Sequence, residues 1–344
     1  MIGRSNMVEP GKFYSFVTTV TPLRISFAGG GTDLKEYYGR DYGAVLSTTV
    51  NQYVYVTVKQ HGGVFKENYR LSYAETEIVQ SLDKVRNDIM RECLRLLPVE
   101  PPIYISTIAD LPSNSGLGSS SSFAVGLLRA LHALRHEQVG QVQVMEEAAH
   151  VEIEVLKNPI GKQDHAAAAF GGFNYFRFLS DGGIAIEPIS LSHDNLYTLF
   201  EHVQMFWTGI SRKSVDVLTE QKQSMSANYD SLDLMRDQAR QLYQLLRQDS
   251  MDIGEFSRLL DEGWQMKRRL ASRISNSSID EWYDLAKANG ALGGKICGAG
   301  GGGFLLLLVP PGDQPKVRQA LANLQEVPIQ FESRGSRILL TDHL

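Results

Sequence analysis

The stretch "DLPSNSGLGSSSSFAVGLLRALHAL", beginning at Asp110, constrains the fold more than any other part of the chain. A loop made of Gly, Ser and Asn runs straight into apolar residues at helical spacing. The first backbone N–H groups of that helix therefore have no partner within it. Such a helix start carries the positive end of the peptide dipole and stabilises a phosphate placed against it. Glycine lets the backbone come close to an anion, and serine hydroxyls can bond phosphate oxygens or ligate Mg²⁺. A helix cap followed by a serine run has the same composition, so the loop alone leaves both readings open. It is not a Walker A loop, because no Lys follows its glycines.

Three other stretches could carry chemistry. In "PLRISFAGGGTDL", residues 22–34, a strand runs into three glycines and then Thr32 and Asp33. The carboxylate could accept protons from sugar hydroxyls, or could cap the next helix. In "VEIEVLKNPIGKQDHAAAAFGG", residues 151–172, the carboxylates of interest are Glu152 and Asp164. Glu152 could equally be a solvated helix charge, and Asp164 the cap of "HAAAAF". In "GGKICGAGGGG", residues 293–303, seven of eleven residues are glycine, ahead of the apolar run "FLLLLV". That backbone can pack very close to something, or serve as a hinge.

At 344 residues the chain has the length of about two domains. Strands and helices occur without strict alternation, which argues for α+β. We place the division loosely near the polar stretch "LSHDNL", giving domains 1–192 and 193–344. Strands are expected at 13–28 (broken at Pro22), 50–60, within 101–110, 171–178, 183–190, 202–209, 304–309 and 327–332, with a hairpin or meander at 65–80. Helices are expected at 82–97, 119–135, 141–157, 214–247, 253–271, 278–289 and 313–324. The net charge of -5 argues against nucleic acid as a partner. Two cysteines, Cys93 and Cys297, suggest a reducing compartment and no disulfide framework. No run reaches the ~18 apolar residues of a membrane span, and the first residues lack a signal-type apolar core. A cytoplasmic protein is expected.

Taken together, the ordered motifs are far more specific than any one of them. Pro-x-Arg with Gly-Thr-Asp, then Pro-x-x-x-Gly-Leu-Gly-Ser-Ser, then Gly-x-x-Asp, then Gly-Ala-Gly-Gly-Gly resembles the GHMP small-molecule kinases over nearly the whole chain. "PLRISFAGGGTDL" and "GKQDHAAAAFGG" are most similar to the sugar 1-kinase branch. The resemblance implies a two-domain architecture, with an N-terminal α+β domain that binds ATP and a ferredoxin-like α+β C-terminal domain. It implies that Pro112, Ser115, Gly116, Leu117, Gly118, Ser119 and Ser120 wrap the ATP phosphates. Ser119 or Ser120 and Glu152 would hold Mg²⁺, with Glu154 as the competing carboxylate. Asp164 matches the catalytic aspartate, and Arg24 the basic residue facing it. Thr32 and Asp33 match residues that hold sugar hydroxyls, and Gly298, Ala299, Gly300 and Gly301 would help hold the substrate. For a substrate phosphate the candidates are Arg212 and Lys213, with Lys162 and Lys295 behind them. His165 stands where this branch leads us to expect Gln. The substrate implied is D-glycero-D-manno-heptose 7-phosphate, phosphorylated at its anomeric hydroxyl to the 1,7-bisphosphate. An L-fucose-type or other free-sugar 1-kinase is the alternative, and an inactive sugar sensor is a more distant one.

Overall fold

The computed structural model describes residues 14–62, 64–211 and 214–343. Strand β1 (Tyr14–Ala28) leads into the first glycine turn and a short helix, α1 (Lys35–Tyr38). Then come β2 (Tyr42–Gln60), the hairpin β3 (Tyr69–Ser72) and β4 (Thr76–Val79), α2 (Asp88–Leu96) and β5 (Ile103–Ala109). Helices α3 (Ser119–Leu134), α4 (Gln141–Ala149) and α5 (Gln163–Phe170) precede β6 (Phe173–Leu179) and β7 (Ile184–Pro188). The second half contains α6 (His193–His202), β8 (Val203–Trp207), α7 (Ser214–Gln223), α8 (Tyr229–Leu246), α9 (Ile253–Lys267) and α10 (Ser277–Ala288). It ends with β9 (Gly293–Ile296), β10 (Phe304–Leu308), α11 (Gln314–Ala320), β11 (Gln325–Glu326) and β12 (Arg337–His343).

The strands form two sheets. The larger has the order β12-β1-β2-β5-β3-β4, with β6 and β7 branching from β2. The branch exists because β2 is long: Tyr42–Thr48 pair with β6 and Val54–Gln60 with β5. Its burial follows that division. Residues from Gly43 to Val50 are all buried, whereas Val54, Val56 and Val58 alternate with half-buried neighbours. A stretch covered on both faces needs continuous apolar or small residues, and one with a solvated face needs only alternation. Helix α3 packs on β1 and β2, and α8 also lies against β2. The smaller sheet, β11-β8-β10-β9, is antiparallel throughout. Its central strand β10, "FLLLL", is completely buried. The α+β class is as expected.

Several expectations change. Pro22 does not break β1, which runs through it as one strand. The ladder to β2 shifts register between Pro22 and Leu23, and pairing with β12 stops at Val20. A proline is tolerated at such a bulge beside an open edge. The helix expected over 82–97 is a 3₁₀ turn followed by α2. The strand expected over 327–332 is reduced to a single bridge from Phe331 to Val50, and the short strand β11 lies just before it. Helix α6 and strand β12 were not foreseen. The expected division at 192/193 falls at the start of α6, while β12 returns from the C-terminal end to pair with β1 in the first sheet.

Because Leu306 is fully buried in the central strand of the smaller sheet, Leu306→Ala should cost ~2–5 kcal/mol. Urea unfolding should show a lower midpoint at unchanged slope.

Candidate active site

The four stretches singled out in the sequence meet at one cleft. Arg24 is at its centre. It projects from β1 and is almost fully buried, with a side chain only 5% exposed. Its Nε and Nη2 donate to Oδ1 and Oδ2 of Asp164, both at 2.7 Å, and its Nη1 donates to the Gly116 carbonyl at 2.7 Å. One planar guanidinium thus ties the first strand, the Ser/Gly loop and the start of α5 together, in the two-pronged geometry that suits a carboxylate. The Arg24 backbone N–H adds a bond to Leu117 O. Asp164 is 23% exposed and opens onto the cleft.

The Ser/Gly loop forms one wall. Gly118 adopts a left-handed φ of 76° immediately before α3. Gly116, Gly118, Ser119, Ser120 and Ser121 line the cleft. Glu152 lies behind them, buried, and its Oε2 accepts from Ser121 Oγ at 2.9 Å and His165 Nε2 at 2.8 Å. It is carried by a π-helical turn, His150–Val155, that continues α4 where an unbroken α-helix was expected. Such a turn re-aims side chains within a helix. Glu154 is exposed and lies 3.8 Å from Lys157, so Glu152 is the carboxylate set against the serine loop. Three loop residues expected at the phosphates are not on the cleft surface. Pro112 is exposed, whereas Ser115 and Leu117 are fully buried behind the wall.

The opposite wall comes from the first and last glycine runs. Asp33 lines the cleft and is buried, accepting from Gly31 N at 3.0 Å and Gln163 N at 3.4 Å. Burial, and secondarily the Asp164 charge, pushes its carboxyl above the usual carboxylate range. Thr32 corrects the expectation that it holds a sugar hydroxyl. Its Oγ1 faces Gly29 O at 2.8 Å, Ala44 O at 2.9 Å and Ala44 N at 3.0 Å, so it locks the turn onto β2. Gly298, Ala299, Gly300 and Gly302 line the cleft, but Gly301 does not; its N–H is bonded to Ile274 O at 2.7 Å. A Cβ on Gly298 would lie 2.6 Å from Gly116 Cα. The two glycine loops therefore touch backbone to backbone, which explains why both are glycine there.

The phosphate candidates fare differently. Arg212 and Lys213 lie outside the described residues. Lys295 is buried away from the cleft, donating to Ser26 O at 2.7 Å. Lys162 donates to Glu146 at 3.0 Å and lines a neighbouring pocket that shares Asp33, Ile160 and Gly161 with the cleft. Sequence reasoning missed Lys267, Gln163 and Gln221, all of which line the cleft. Gln221 is buried, and its Nε2 has no hydrogen-bond partner. Nothing in the helical patterns of α5, α7 and α9 marks these residues, since their place in the cleft comes from the glycine loops packed against them.

The oxygen donors at this wall suit a hard cation. Among the described residues no group of three or more His, Cys, Asp or Glu side chains could hold a metal ion. Mg²⁺ that arrives with a nucleotide uses only one or two carboxylates, together with phosphates and waters. The Ser119 and Ser120 hydroxyls, with Glu152 behind Ser121, fit that smaller requirement.

The chain is similar to known proteins over most of its length. Residues 79–172 match the GHMP kinases N terminal domain, and residues 239–326 match the GHMP kinases C terminal domain. The chain is 31% identical to D-glycero-alpha-D-manno-heptose 7-phosphate kinase of Campylobacter jejuni, over 90% of this chain and 94% of that protein. It is 24% identical to the L-fucokinase/L-fucose-1-P guanylyltransferase of Bacteroides fragilis, covering 88% of this chain and 35% of that longer protein. A crystal structure of a D-glycero-D-manno-heptose 1-phosphate kinase from Bacteroides thetaiotaomicron superposes with a TM-score of 0.76, at 26% identity over 94% of this chain and 99% of that one.

The central ion pair can be tested without any substrate. Arg24→Met and Asp164→Leu, made singly and together, should show a coupling of about 1–3 kcal/mol in denaturant unfolding. Additive effects would mean that the pair does not hold the wall together.

Proposed function

The chain belongs to the GHMP kinases and is an ATP-dependent small-molecule kinase, and from that premise we propose that it phosphorylates the anomeric hydroxyl of D-glycero-D-manno-heptose 7-phosphate. The observation that carries this reading is the joining of Asp33, Asp164 and Arg24 in one cleft with the serine loop. A carboxylate for sugar hydroxyls, a carboxylate for the reacting hydroxyl and a phosphate-binding helix start then face a common space. The C. jejuni relative, whose printed name is that of a heptose 7-phosphate kinase, supports the choice of sugar.

In this reading the N-terminus of α3, with Gly116, Gly118, Ser119 and Ser120, receives the ATP phosphates. Ser119, Ser120 and Glu152 would hold Mg²⁺, which neutralises phosphate charge when bound. The anomeric oxygen attacks the γ-phosphorus and a new O–P bond forms. The bond from that phosphorus to the bridging oxygen breaks, and its electron pair leaves with ADP. The hydroxyl proton passes to Asp164. Arg24 keeps that carboxylate in one orientation, because both its oxygens are held. Phosphoryl transfer depends mainly on such positioning and on charge neutralisation. Asp33 takes sugar hydroxyls, and Gly298, Ala299 and Gly300 close on the sugar's far side. A free sugar of the L-fucose type is the second reading, favoured by the B. fragilis similarity over most of this chain.

The test is ATP turnover with Mg²⁺ on heptose 7-phosphate, mannose, fucose and sedoheptulose 7-phosphate, with products identified by ³¹P NMR. Phosphorylation at C1 of the heptose phosphate is expected. Asp164→Asn should lower kcat by ~10²–10⁴-fold. Turnover of unphosphorylated sugars alone would replace the heptose assignment with the second reading. In the same assay Asp33→Asn should raise KM for the sugar and leave KM for ATP nearly unchanged.

A further inference from the structure

Lys267 ends α9 and is only 4% exposed, yet it lines the cleft. Its Nζ donates one hydrogen bond to the carbonyl of Gly298, in the last glycine loop. An ammonium has three donors, so two remain after that bond. A Cβ placed on Gly30 would lie 3.7 Å from this Nζ. The amine therefore crosses from the C-terminal half to the glycine turn that carries Asp33. The charged groups around it come from every neighbouring wall: Arg24 on β1, Asp33 after the first glycine turn, Asp164 on α5, and Lys295 and Cys297 beside the last glycine loop. Arg24, the other cation of the cleft's inner wall, has both prongs committed to Asp164 and its third nitrogen to Gly116. Lys267 is thus a second buried cation on the cleft, and two of its donors remain after the bond to Gly298.

Building on the kinase reading above, we propose that Lys267 is a catalytic residue that donates to the transferring phosphoryl group of ATP, supplied from the opposite half to the serine loop. A fixed cation in a water-poor cleft stabilises charge on the equatorial phosphoryl oxygens as the bond to ADP lengthens. Lys267 keeps its proton throughout the transfer. Its hydrogen bond to Gly298 also makes its position depend on the last glycine loop, so that loop and the phosphoryl group are read together.

Burial, and secondarily the Arg24 charge, lowers the Lys267 amine to about 8. The ammonium is present below that pH and is lost above it. In the wild type, kcat/KM should therefore fall as pH rises through about 8. The corresponding limb of kcat should lie at higher pH, because a bound polyanion holds the proton.

Three variants test this: Lys267→Met, Lys267→Arg and, as a fold control, Lys267→Gln. Lys267→Met should lower kcat/KM by ~10²–10³-fold and abolish the alkaline limb, while Lys267→Arg should move that limb upward. Binding calorimetry gives a readout that needs no sugar. The wild type should prefer MgATP to MgADP more strongly at pH 7 than at pH 9, and Lys267→Met or Lys267→Gln should lose that pH dependence. Melting temperatures of all variants establish that they are folded. An alkaline limb that survives in folded Lys267→Met, or an ATP preference that is independent of pH in the wild type, overturns the proposal. If no sugar is turned over but the calorimetric dependence holds, the choice of sugar fails while the role of Lys267 stands.

Discussion

The structure depends on the guanidinium of Arg24. It makes three hydrogen bonds at 2.7 Å, two to Asp164 and one to Gly116. These join three segments that are far apart in the chain. Placing an arginine in a buried position is costly unless its charge is paired and hydrogen-bonded. Here the partners exist because β1, the start of α3 and the start of α5 converge at one point. The site is therefore built around a charge that the fold must satisfy in any case, and the open flank of Asp164 is what remains available for chemistry.

Around that point the cleft is assembled by backbone contact. The Ser/Gly loop and the last glycine run, and likewise Gly161 and Asp33, approach so closely that side chains would collide. A Cβ on Gly161 would lie 2.1 Å from Asp33 Oδ2, and one on Gly116 would lie 2.5 Å from Cys297 O. Close-packed walls of this kind exclude water and keep the polar groups they carry from drifting. That favours a reaction in which charge moves between phosphate oxygens, since each fixed dipole acts more strongly there than in water.

Most regular elements were legible because their patterns are local. The helix of "SSSSFAVGLLRALHAL", the strand "FLLLL" and the strand through Val54, Val56 and Val58 follow from apolar spacing alone. Elements decided by distant partners were not legible. β12 is a strand because β1 has an open edge for it, and its exposed Ile338, Leu339 and Leu340 carry no burial pattern that would mark it. Pro22 looks like a strand breaker until the bulge and the missing neighbour are seen. The π turn at Glu152 is equally invisible, because its residues suit an ordinary helix.

By itself the sequence determined the order of the motifs, the Gly/Ser-rich start of a helix, the family, and the pairing of Arg24 with Asp164 as an expectation from resemblance. These are properties of residue type and spacing, which a chain carries wherever it folds. Only the tertiary structure decided which lysine faces the cleft. Lys295 stands in the conspicuous glycine loop, but β9 turns it inward to the Ser26 carbonyl. Lys267 reads as a common cation in the last turn of a helix, but α9 delivers it across to Gly30 and Gly298. A lysine's electrostatic role comes from the burial and charges that surround it, and those are contributed by segments from several distant parts of the chain.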